Sequence, residues 1–326
     1  MSAGGAEQLP PPIRRREYGI VGRTMGRIFL HGLLRPLFFL LRLVGWWPKA
    51  IARSNQIWND FEGYRPGPHD VMVCSYFKSG TNWTMQMALQ VAWRGKAEFR
   101  HIHDVVPWAE MPVRFRYTVP PDDALWRCSP TQLQVIKTHL PIGKIEFTEQ
   151  AKYIWVVRDP KDVFVSGYHF IRSIALGPLM PSVEEWLDLF LSKDTFNGSW
   201  AEHLASGWAL RDRPNVVFMS YEQMRGDREA AIDAIAQVMG VGLSEEERAA
   251  VLGLSSYEHM KSISYRFDTI GISPPWINPR GTMVRRGRSG GSDEMLTAEQ
   301  QQRIDEYWKA ELARFGCDFP WEAHFR

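Results

Sequence analysis

From residue 70 onward, short apolar runs alternate with stretches of helical period. Residues 71–74, 133–136, 153–157 and 216–219 are brief runs rich in Val, Ile, Met and aromatic residues, and each reads as a buried strand. Between them, residues 81–93 put Met85, Ala88, Leu89 and Ala92 on one helical face. Further helices are predicted near residues 162–170 and 229–239. Ser244, with Glu247 three positions on, has the form of a capping box that opens another helix. Strands separated by helices imply βαβ units. The expected fold is α/β: one P-loop-like domain with a central parallel sheet flanked by helices, plus an N-terminal helical extension. Ligands of such sheets bind beyond the carboxyl ends of the strands.

The chain divides into a disordered lead at 1–22, an amphipathic helical extension at 23–55 and a catalytic domain at 56–326. The lead holds Pro10-Pro11-Pro12 and Arg14-Arg15-Arg16. In residues 23–51, Arg23, Arg27, His31, Arg35, Arg42 and Lys49 are spaced 4, 4, 4, 7 and 7. At roughly 100° per residue they occupy about one third of the helix circumference, and the rest is mainly apolar. Pro36 is expected to kink or divide the helix. The charges interrupt the run too often for a membrane span, and Arg35 and Arg42 break any signal-peptide core. Two readings stay open. In one, the helix packs its apolar face on the domain and shows the basic stripe to water. In the other, it lies in a membrane interface with its arginines on anionic head groups.

Composition narrows the chemistry. Of 326 residues, 39 are Lys or Arg and 37 are Asp or Glu, a net charge of +2, so coating of nucleic acid is not expected. Any bound anion must be held by local clusters. Cys74, Cys128 and Cys317 are too few and too widely spaced for a disulfide framework or a zinc site, which points to a reducing, cytoplasmic compartment. His101 and His103 beside Asp104 are read as satisfying local hydrogen bonds, not as metal ligands.

The residues after the strands carry the functional signal. Lys78-Ser79-Gly80-Thr81-Asn82-Trp83 forms a short turn entering a helix, where backbone N–H groups converge on an anion. It is not a Walker A loop, because Lys78 precedes the only glycine. Lys137-Thr138-His139 leaves the second strand with a cation, a hydroxyl and an imidazole suited to general-base work. Arg158 ends the third strand, and Ser166 follows it by eight positions on a helix. Arg285-Arg286-Gly287 opens a basic, flexible loop.

Together these segments resemble the PAPS-dependent sulfotransferases, which use 3′-phosphoadenosine 5′-phosphosulfate, over roughly residues 60–320. Residues 76–83 are similar to the family's Y-P-K-S-G-T-x-W, with Phe77 in place of Pro. Lys137-Thr138-His139-Leu140-Pro141 is similar to its K-T-H-L-P, and Arg158 with Ser166 to its 3′-phosphate pair. Tyr221, Ser256, Tyr257 and Arg285-Arg286-Gly287 correspond to its later nucleotide contacts. The late G-x-W-K is replaced by Gly290-Gly291-Ser292-Asp293, and the dimer-associated K-x-x-x-T-V is absent, so oligomeric state does not carry over.

The resemblance implies PAPS as co-substrate, no metal, and transfer of a sulfuryl group to a hydroxyl of a small or lipid-like acceptor. It implies His139 as base, with Lys78 on the bridging oxygen and Lys137 on the sulfuryl charge. It also implies Trp83 against adenine, and a 3′-phosphate held by Arg158, Ser166 and residues 285–287. The competing readings are a nucleotide-dependent phosphotransferase and a non-catalytic binder of PAPS or its desulfated product. Residues 105–108 and 178–181 are candidates to line an apolar acceptor pocket.

Overall fold

The computed structural model describes residues 18–43, 45, 64–108, 110, 125–192, 198–268, 274–277, 283–284, 287 and 289–325. The N-terminal segment forms α1 (Ile20–Phe29), a π turn (Leu30–Leu34) and α2 (Arg35–Leu43). The domain then runs β1 (Asp70–Ser75), α3 (Thr81–Ala92), β2 (Gln134–Thr138), β3 (Lys152–Val157), α4 (Pro160–Ile171), α5 (Val183–Phe190) and α6 (Trp200–Trp208). It continues with β4 (Val216–Ser220), α7 (Tyr221–Gly226), α8 (Arg228–Met239), α9 (Glu245–Leu254), α10 (Tyr257–Ser262), α11 (Ala298–Arg314) and α12 (Trp321–His324).

The four strands form one parallel sheet in the order β2-β1-β3-β4. Each expected strand matches an observed one to within two residues at either end. Met72, Ile136, Tyr153 and Trp155 face one core, and Val71, Val73, Val135 and Ile154 face the other. Helices cover both faces, which is why the strands read as near-continuous apolar runs. The shared direction brings Ser75, Thr138, Val157 and Ser220 to one edge. The capping box at Ser244 and Glu247 opens α9 as expected.

The N-terminal helix departs from expectation in its start and meets it in its break. It begins at Ile20, inside the stretch read as a disordered lead, whose first 17 residues lie outside the described ones. As expected, it divides at the π turn just before Pro36, whose missing N–H removes one rung of the α ladder. Its apolar surface is divided, with one row packed on the domain and the rest exposed. The covered row is Gly22, Gly26, Leu30, Leu34, Phe38 and Leu41, while Ile20, Met25, Ile28, Leu33 and Leu40 are exposed. Gly26 explains the choice of row: a β-carbon there would lie 2.6 Å from Pro275, so only glycine lets the helix approach. The helix runs 24 residues and, by length and composition alone, is long and apolar enough to cross a membrane, against the expectation drawn from its charges.

Candidate active site

The turn after β1 is held in an uncommon backbone geometry. Lys78 has φ 67° and Gly80 φ 99°, so two left-handed residues aim the first N–H groups of α3 at one point. A side chain at Gly80 would put its β-carbon 2.7 Å from the Tyr221 ring. Ser75 and Thr81 share a 2.7 Å hydroxyl hydrogen bond that ties the strand end to the helix start. The Ser79 hydroxyl is fully buried and has no protein partner, as expected of a group waiting for a ligand oxygen. Lys78 Nζ sits 4.0 Å from the Phe170 ring centroid.

His139 leaves β2 directly beside this turn. Its Nδ1 lies 2.7 Å from the Ser75 carbonyl oxygen, which can only accept, so Nδ1 carries the proton and Nε2 keeps its lone pair. Phe77 and Trp108 stand edge-on to the imidazole at 6.4 and 5.5 Å. Burial, with Lys137 and Lys78 adding to it, holds the imidazole well below its ordinary pKa, so it is neutral at pH 7. Lys137 is also buried, with Nζ 3.4 Å from the Trp108 ring centroid. Burial pushes its pKa down to about 7, opposed by the charge of Glu110.

Glu110 is the main site residue that the sequence reading missed. It is 2% exposed, and its Oε1 accepts the His139 backbone N–H. Its pKa is raised by burial. The segment arrives because Trp108 bridges to Lys137 as a short parallel addition to the sheet, with the Lys137 N–H donating to the Pro107 carbonyl at 2.9 Å. A single acid two residues after Trp108 in an otherwise apolar stretch was the available signal. The expected acceptor-lining residue Trp108 thus stands against both Lys137 and His139. His101 and His103 turn their ring nitrogens to backbone groups: His101 to Asp268 and His103, His103 to Val106.

The second cluster follows β3. Pro160 and Asp159 open α4, with Asp159 accepting the Lys161 N–H at 2.8 Å. Arg158 donates to the Lys78 carbonyl at 3.3 Å, pairs with Asp162 at 3.1 Å and lies 4.5 Å from the Tyr221 ring centroid. It therefore joins the turn, α4 and α7. Ser166 is half-buried on α4, and Asn82 is half-buried on α3. Trp83 donates its indole N–H to the Ser255 carbonyl at 2.8 Å and meets Tyr221 edge-on at 5.5 Å. Ser256 caps α10 by accepting the His259 N–H, and Tyr257 lies against Gly287. Arg285 and Arg286 lie outside the described residues.

Two acids in this cluster also escaped the sequence reading. Asp162 accepts the N–H groups of Gly290 and Gly291 at 3.1 and 3.3 Å, so the segment that replaces G-x-W-K is tied to Arg158 through one carboxylate. Glu222, next to Tyr221, has no side-chain hydrogen-bond partner for its buried carboxylate among the described residues, and burial pushes its pKa up to about 7.

A parallel sheet whose first loop, with its lysine, can cradle an anion, and whose next strand ends in a lysine and a neutral histidine, is suited to group transfer from a nucleotide donor. The family model described as "Sulfotransferase domain" matches residues 68–316. The chain belongs to the sulfotransferase family, and its reaction is sulfuryl transfer. It is 27% identical to rat (Rattus norvegicus) "Sulfotransferase 1C2" over 271 residues, 80% of this chain and 89% of that one. It is 28% identical to the "3-beta-hydroxysteroid sulfotransferase" of Cavia porcellus over 261 residues, 78% and 87% of the two chains. Among solved structures, retinol dehydratase in complex with retinol and PAP superposes with a TM-score of 0.61 at 22% identity, covering 78% of this chain and 84% of that one.

Proposed function

We propose that this protein transfers a sulfuryl group from PAPS to the hydroxyl of an apolar, lipid-like acceptor, working in the cytoplasm at the inner face of a membrane. The observation that carries the reading is His139, with its open Nε2 fixed by the Ser75 carbonyl and set among Lys137, Lys78 and two aromatic rings. The residues present fit the donor. The Ser79 hydroxyl is buried without a partner, Gly80 leaves room above Tyr221, and Arg158 and Lys78 supply the charge.

PAPS supplies the activated sulfuryl group and a bisphosphate leaving group. His139 Nε2 takes the acceptor's proton, Lys137 offsets negative charge on the sulfuryl oxygens, and Lys78 offsets charge on the departing phosphate. The turn residues Ser79, Gly80, Thr81 and Asn82 hold the 5′ end, and Trp83 and Tyr221 flank the base. Arg158 and Ser166, with Ser256, Tyr257 and residues 285–287, hold the 3′-phosphate. An apolar acceptor suits the surroundings of His139, where Phe77 and Trp108 form the walls. The steroid named for one relative and the retinol bound in another fold relative are acceptors or ligands of the same character.

The test is incubation with radiolabelled PAPS and a panel of sterols, long-chain alcohols and phenols. Label moving to an apolar alcohol, and lost in His139→Ala, supports the reading. Label moving only to small polar acceptors removes the lipid-like part. No transfer from PAPS to any acceptor, with ATP as the better ligand, removes the donor assignment.

A further inference from the structure

The N-terminal helix divides its surface three ways. Its covered row rests on the domain from Gly26, against Pro275, to Arg42, whose guanidinium makes a two-pronged ion pair with Glu185 on α5. Opposite that row, the helix is bare. Of twelve large apolar side chains that stand exposed among the described residues, ten lie between Ile20 and Leu43. Val21 and Ile28 are 76% and 63% exposed, values that decide against burial on this domain. At roughly 100° per residue, Val21, Met25, Ile28 and Phe29 fall within an arc of about 100°. Arg23 and Arg27 fall in the sector between the docked row and that arc. Apolar patches of this kind are not left to water in a soluble chain without a partner.

Charge says what that partner is. Between residues 18 and 59 there are six basic side chains and no acidic one, in a protein whose net charge is only +2. A protein partner would need an acidic, greasy groove, whereas an anionic bilayer offers both features on any patch of its surface. A spanning arrangement conflicts with the docking. The covered row runs the length of the helix, so the helix lies along the domain, and a domain in water would hold it parallel to the membrane plane.

We propose that the helix Ile20–Leu43 lies flat in the interface of an anionic membrane, its exposed apolar arc in the acyl boundary and Arg23, Arg27 and Arg35 among the head-group phosphates. The docking contacts then fix the orientation of the catalytic domain. Pro275 precedes Trp276 and Ile277, which pack against Gly177 at the start of the candidate acceptor wall, and Glu185 follows that wall. The helix therefore brackets the segment 177–185. Membrane binding itself does not depend on the sulfuryl-transfer reading; only the delivery of a lipid-like acceptor to that wall rests on it.

The experiment uses the full-length protein and sedimentation with vesicles of phosphatidylcholine alone or mixed with phosphatidylglycerol. Binding to the anionic vesicles, weakened by salt and much weaker on phosphatidylcholine alone, is the expected result. Ile28→Glu with Leu33→Glu should reduce binding about tenfold or more. Arg23→Gln with Arg27→Gln should reduce it by about fivefold per charge. All four positions are exposed, so calorimetric binding of the bisphosphate nucleotide should be unchanged, which separates loss of docking from loss of fold or donor site. Equal binding to both vesicle types, or no binding with the nucleotide site intact, overturns the proposal. Retention of bound protein through alkaline, high-salt washing would show a spanning helix. Self-association abolished by Ile28→Glu would show a second copy of the chain. Either result overturns it too.

Discussion

Replacing Glu110 by Gln should make the enzyme more sensitive to alkaline pH. Lys137 is buried and has a pKa near 7, well below the 10.5 of an ordinary lysine, so half of it is charged at neutrality and about a tenth at pH 8. If the ammonium is needed for transfer, kcat/KM for PAPS falls about tenfold per unit above pH 7. Glu110 opposes the shift, because its negative charge favours the charged lysine. An opposite charge close by typically moves a pKa by about 1–3 units. Burial raises the pKa of Glu110 itself, so about one unit is the working expectation. The sign follows directly: without Glu110 the lysine loses its proton earlier, and the descending limb moves to lower pH.

His139, Lys78, His101 and His103 also face this region, but all three histidines are held below their ordinary pKa. Glu222 titrates near 7 at the far end of the nucleotide site, so both profiles are best recorded in the Glu222→Gln background. The assay is initial-rate kinetics from pH 5.5 to 9 with limiting PAPS. The two enzymes should be closest at the acid end, where Lys137 is charged in both, and diverge above neutrality. A uniform loss at every pH would show that Glu110 only holds the His139 loop in place. A limb that moves upward would refute the electrostatic reasoning outright.

The other substitutions separate chemistry from binding. His139→Ala should lower kcat by about 10²–10⁴ while leaving bisphosphate affinity within about threefold, measured by kinetics and calorimetry side by side. Gly80→Ala forces a β-carbon to 2.7 Å from Tyr221 at a φ of 99°. It should cost about 1–3 kcal/mol of donor binding, read by calorimetry, with strands and core intact by circular dichroism. Bisphosphate affinity should fall as pH rises through about 7, because Glu222 becomes an anion beside the site; Glu222→Gln should flatten that dependence.

The strands were legible because both faces of the sheet are buried, which turns each strand into an apolar run. The turn at residues 78–83 was legible because an anion cradle at the start of a helix needs small residues and a cation in close sequence. Glu110 was not, since its role depends on Trp108 bridging to Lys137 across 29 positions of chain. Asp162 was visible in its motif, but its hold on Gly290 and Gly291 is a long-range contact that spacing does not encode. The N-terminal helix gives the sharpest contrast. Its periodicity distinguished a basic stripe from an apolar remainder, but not which apolar row packs inward. Gly26 lets one row, continued by Leu30, Leu34, Phe38 and Leu41, approach the domain, and the close backbone approach at its glycine end leaves no hydrophobic signature.

Calorimetric titration of adenosine 3′,5′-bisphosphate against 5′-AMP tests the central claim most directly, because the two ligands differ only in the group assigned to Arg158 and its neighbours. Loss of several charge-assisted hydrogen bonds at about 1.5–3 kcal/mol each predicts bisphosphate binding at least about a hundredfold tighter. Equal affinity for the two nucleotides would contradict the assignment of this site to a PAPS-type donor.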